Sequence, residues 1–173
     1  MLGYWETHRD GDGAPLRSAI DPAGFSDVIT QTFMIGRERA GVYLFRLAGA
    51  LLDDLHHAPL NGTDFAQMWG PADRPRLQGA VEAALTRRQS LILQAQGRSL
   101  TGAQARLEIM LAPLAGPKGQ VDRMLGFYQP VSPLFRLQGQ RIERLFLLDA
   151  SFPDGSDATS PLRLAAMDGR LIA

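Results

Sequence analysis

The chain has 173 residues, 45% of them hydrophobic, with eighteen acidic and eighteen basic side chains and a formal charge of zero. That length suits one domain with a sizeable core, and the balanced charge supplies no global field to draw nucleic acid or an anionic membrane as a primary partner. The absence of cysteine excludes disulfides and thiolate metal sites; with no basic-then-apolar leader and no apolar run of spanning length, the expectation is a cytoplasmic protein.

Leu2 to Arg9 reads as a short amphipathic helix with Leu2, Tyr4 and Trp5 as its apolar patch. A polar loop follows from position 10 to Pro15. Asp21-Pro22 then has the form of an N-cap with proline at the first helical position, opening a helix to about Val28. Thr32 to Arg37 and Val42 to Gly49 form a hairpin across the turn Glu38 to Gly41. Alternation along the second strand places Tyr43, Phe45 and Leu47 on one face and Leu44, Arg46 and Ala48 on the other, with Arg46 marking the wetter side. The acidic stretch Leu51 to His57 is a short helical segment, and Ala66 to Trp69 a helical turn ended by Gly70-Pro71.

Asp73 opens the longest helix, to about Arg88, with Leu77, Ala80, Val81, Ala84 and Leu85 at helical spacing. Three period-two runs come next, Ser90 to Gly97, Gln104 to Pro113 and Val121 to Val131, and consecutive antiparallel pairing is the simplest topology for them. In the second run Leu107, Ile109 and Leu111 face one way and Arg106 and Glu108 the other, giving one buried and one wet face. Arg141 to Asp149 suits a further strand or a helix. A loose segment from Ser151 to Ser160 follows, and Met167-Asp168-Gly169 suits a last hairpin or docking strand.

Tyr4-Trp5, Ile20-Asp21-Pro22, the strand end Phe45-Arg46-Leu47-Ala48-Gly49, Asn61-Gly62-Thr63-Asp64-Phe65 and Gly126-Phe127, in this order, resemble the PAS family. The likeness is to stand-alone bacterial members, formerly described as a domain of unknown function, that share an N-terminal Tyr-Trp helix. A bacterial source also suits the single lysine, Lys118, among the basic residues. The resemblance implies an α+β fold: a five-stranded antiparallel sheet with covering helices, enclosing a small pocket or a solid core. It divides the chain into an N-terminal helical segment at 1–30, a PAS-like core at 31–131 and a C-terminal extension at 132–173. It implies a non-catalytic sensory or regulatory module that binds a small ligand or a protein partner and signals in trans, commonly as a homodimer through the N-terminal helix. Leu2, Tyr4 and Trp5 are then the candidate dimer contacts.

The cofactor is unknown from sequence. A cysteinyl flavin is excluded by the lack of cysteine, and haem held from the long helix is disfavoured because Asp73 to Arg88 contains no histidine. A small apolar ligand would meet Phe45, Leu47, Phe65, Trp69, Leu107, Ile109 and Leu111, with Leu125 or Phe127 from the last strand, where Met124, Gly126 and Tyr128 offer an almost equally apolar alternative face. Phe65 and Trp69 line such a pocket or simply fill the core. His56 and His57 read as the polar end of a short helix, since no third ligand stands at useful spacing for a metal. Adjacent Asp53 and Asp54 point about 100° apart on a helix and read as a solvated face. The alternative is a cone-shaped, nuclear-transport-factor-like hydrolase or isomerase with His56 beside Asp53 or Asp64 as its acid-base pair.

Overall fold

The computed structural model describes residues 1–9, 11, 13–153 and 158; the Met167-Asp168-Gly169 expectation lies outside these. Helix α1 (Leu2–Thr7) precedes 3₁₀ turns at Arg17–Ala19 and Pro22–Gln31, the latter broken at Phe25, where the backbone leaves helical geometry. The hairpin β1 (Thr32–Arg39) and β2 (Val42–Ala48) leads through α2 (Ala50–His56) and a 3₁₀ turn at Phe65–Met68 to α3 (Arg74–Arg87). Then come β3 (Leu91–Arg98), β4 (Gln104–Ala115), β5 (Val121–Pro130), a 3₁₀ turn at Leu134–Leu137 and β6 (Arg144–Ser151).

The cap expected at Asp21 forms, whereas Asp73 opens the long helix without a side-chain cap bond. Asp21 accepts from the Ala23 N–H at 2.9 Å and Asp64 from that of Ala66, satisfying orphan donors at the starts of the turns, and Asp64 also accepts from the Tyr43 N–H of the second hairpin strand. Neighbouring strands are all antiparallel, in the order β2-β1-β5-β4-β3-β6. The five strands expected between 31 and 131 are all present, and β6 from the C-terminal extension adds a sixth. Arg144–Ser151 takes the strand option because β3 would otherwise leave an open row of backbone donors and acceptors; β6 pairs it from Ile92 to Arg98.

The sheet separates two apolar layers. On its inner face, α2, α3 and the Phe65–Met68 turn cover the larger core. Tyr43 donates to Glu82 at 2.6 Å and Arg37 meets the same carboxylate at 3.1 Å, tying the hairpin to α3. On its outer face, Trp5 of α1 and Phe25 pack on Met110, Ala112, Leu114 and Leu125. Strand β4 consequently alternates only in its first half and is buried on both sides from Ile109 to Ala115. The wet outer face expected for this strand holds at Arg106 and Glu108, and from Met110 onward the N-terminal cover replaces it. No described helix is long and apolar enough to cross a membrane.

Candidate functional site

Six of the proposed pocket residues, Phe45, Phe65, Trp69, Leu107, Ile109 and Leu111, do share the inner face, and all are buried. They leave little room between them. Phe33, Phe45 and Phe65 stand with ring centroids 5.5–5.8 Å apart, and Trp69 meets Phe65 at 5.8 Å, an interlocking aromatic arrangement with favourable tilted and edge contacts. The Phe33 ring lies over Gly126, where any side chain would collide with it. The indole Nε1 of Trp69 is buried there without a hydrogen-bond partner.

Three residues assigned to this face belong elsewhere. Phe45 pairs with Ile35 but Leu47 pairs with Met34, so Arg46 is an extra residue on β2. Such a bulge moves the following side chain to the other face, and Leu47 ends on the outer side, 51% exposed. Leu125 and Phe127 also join the outer cluster. The alternative parity holds for β5, with Met124 and Tyr128 inside.

His56 differs from its expected role as a polar helix end. It is buried, with Nδ1 3.0 Å from the Ile142 carbonyl and Nε2 3.1 Å from the Tyr128 hydroxyl. A carbonyl only accepts, so Nδ1 carries the proton and Nε2 accepts from Tyr128. Burial lowers the His56 pKa to about 4 against the opposing pull of the Ile142 carbonyl, and burial likewise raises that of Tyr128. The left-handed backbone of His57, which ends α2, leaves that side chain exposed. The acid-base pairing of the hydrolase alternative does not form: Asp53 accepts from the Leu60 N–H and Asp64 caps the next turn, while both nitrogens of His56 are engaged elsewhere.

The N-terminal aromatics turn inward as well. Trp5 has no exposed surface and donates to the Pro113 carbonyl at 2.9 Å. The Tyr4 hydroxyl bonds both backbone groups of Asp21. Of the three dimer candidates, Trp5 has no surface left for a partner, and Leu2 and Tyr4 are half-buried.

A groove of about 960 Å³ lies open on the outer face, between the β1-β2-β5 surface and the 3₁₀ turns. Met34, Leu47 and Leu125 line its floor, Phe25 and Ile29 its side, and its charged lining residues are Arg17, Arg46 and Arg123. Sequence reasoning missed this site, although the parity of Met34, Arg123 and Leu125 along their strands carried the signal.

The family model described as "PAS domain" matches residues 1–129. The chain belongs to the PAS domain family. Among solved structures, this PAS domain is similar to a light-oxygen-voltage domain studied with a flavin analogue, at 15% identity and TM-score 0.51, over 67% of this chain and 87% of that one. It is also similar to the dark structure of the blue-light photoreceptor Aureochrome1 LOV, at 15% identity and TM-score 0.50, over 69% and 88%. A PAS domain from Colwellia psychrerythraea aligns at 13% identity and TM-score 0.48, over 63% and 95%. At such identities the likeness shows the fold. The search of curated proteins gives no match.

Phe33, Phe45, Phe65 and Trp69 fill the inner face, and the chain has no cysteine to form a cysteinyl flavin.

Proposed function

We propose that this PAS domain is a non-catalytic sensory or regulatory module that recognises a small ligand on the outer face of its sheet and passes its state to a protein partner in trans. The observation that carries this reading is the contrast between an inner face filled by aromatic side chains and an outer face with an uncovered groove. A groove of this size, apolar with a few polar groups at defined places, has the usual character of a small-molecule site. The neutral, fully hydrogen-bonded state of His56 speaks for a structural part in place of general base chemistry. Self-association, a common habit of the family, would place the exposed part of Leu2 and the rims of the groove at or near the contact, in a cytoplasmic setting.

Native mass spectrometry of the purified protein, read beside its absorbance spectrum, tests the reading. The expected result is a species that retains a non-covalent small molecule or forms a dimer, with no haem or flavin band. A bare monomer at every concentration, together with a reproducible turnover that a single polar substitution abolishes, would overturn it.

A further inference from the structure

The two ends of the outer groove differ in chemistry, and strand register fixes which end is which. Gly36 of β1 stands opposite Arg123 of β5. A methyl group at Gly36 would lie 2.9 Å from Nε of Arg46, so the missing side chain is what lets Arg46 lie across the sheet toward Arg123. Leu16 bridges to Ala115, and the preceding residue of β4, Leu114, is opposite Arg123. That register brings Arg17 to the same end. Arg46 shares its charge with Glu38 at 2.6 Å, whereas among the described residues neither Arg17 nor Arg123 has a carboxylate within ion-pair distance. Among the described residues no acidic side chain lines the groove.

The opposite end runs toward Thr32 and Gly49 and has no charged lining residue. Between Gly36 and Thr32 the floor spans about 13 Å of strand, and the walls continue past Thr30 to Ala50. Ile29 and Leu47 remain 40% and 51% exposed within it, apolar surface that gains by being covered.

We propose that this groove binds a long-chain fatty acid, with its carboxylate among Arg17, Arg46 and Arg123 and its acyl chain along Met34, Leu47 and Leu125 toward Ile29. The inference rests on the sensory reading above and names the ligand of that same site. Guanidinium groups match a carboxylate in planar, two-pronged geometry. A metabolite polar along its whole length would leave groups unpaired against the apolar floor, which selects a ligand charged at one end only.

Isothermal titration of the full chain with palmitate, below its micelle concentration, provides the test. Saturable one-to-one binding is expected, with hexadecanol about tenfold weaker. The double variant Arg17→Gln/Arg123→Gln should lose about tenfold for palmitate while leaving hexadecanol unchanged, and Leu47→Glu, at an exposed position that the fold tolerates, should weaken both. Palmitate bound no better than hexadecanol overturns the proposal, as does unaltered affinity in the arginine variant. So does an acidic amphipathic peptide or a second copy of the chain that occupies these arginines while palmitate is ignored, or amide shifts on palmitate addition that cluster around Phe65 and Trp69. Retention of a different small molecule in native mass spectra, with palmitate inert, would sink the fatty acid alone and leave the sensory reading standing.

Discussion

The two faces of one sheet are built by different means. The inner face is closed by helices lying between β2 and β3 in sequence, and its aromatic side chains pack against one another around a few polar groups: the indole nitrogen of Trp69, the His56-Tyr128 pair and the Tyr43-Glu82 bond. The outer face is closed by the chain's first thirty residues, which cover β4 and part of β5 but stop short of the β1-β2 edge. The difference teaches that a strand's parity says which residues share a face, while the extent of cover decides whether that face is core, wet surface or groove. In this PAS domain the uncovered part is where recognition has room.

The largest contrast should come from charge placed inside. Ile109→Asp is expected to unfold the domain or to cost more than about 4 kcal/mol, since a lone carboxylate there finds no partner; urea denaturation followed by circular dichroism measures it, and an unchanged midpoint would show that the face is not core. On the outer face, Trp5→Ala should cost about 3–5 kcal/mol by the same measurement. Parity between the two faces would be lost if that figure fell below about 1 kcal/mol, because α1 would then be an ornament to the sheet.

Acid should act through His56. Its folded pKa, about 4, lies below the ordinary histidine value of 6.5, so the stability it contributes is complete above pH 6.5 and is lost as pH falls toward 4. The total is roughly 3 kcal/mol at about 1.4 kcal/mol per unit. Denaturation midpoints collected across that window should decline in the wild type and change far less in His56→Gln, which starts about 1–3 kcal/mol lower because it disturbs buried partners. A parallel decline in both proteins would assign the acid response to other groups.

Gly126→Ala probes how closely the inner face is packed. The new methyl meets the Phe33 ring, and a cost of about 1–3 kcal/mol is expected from overpacking, visible as a lowered thermal midpoint. The smallest effect belongs to Leu47→Ser, within about 0.5 kcal/mol, against several times that for Phe45→Ser two residues away. Equal losses at the two positions would restore the unbulged strand.

Much of this protein was legible from its residues alone. Helical spacing from Leu77 to Leu85 set the buried face of α3, turn chemistry at Asp21-Pro22 set a local start, and alternation at Leu107, Ile109 and Leu111 identified an inner strand face. These follow from interactions within a few residues, which a sequence records directly. Three decisions were made by the tertiary structure. The bulge at Arg46 turned Leu47 outward, because register is negotiated between β1 and β2 and not within either. His56 became a buried bridge because Tyr128 and Ile142, 72 and 86 residues away, supplied its partners. The cationic end of the groove arose because Gly36 makes space across strands for Arg46 beside Arg123. Each depends on groups distant in the chain that meet only when the sheet closes, and local pattern carries no term for such meetings.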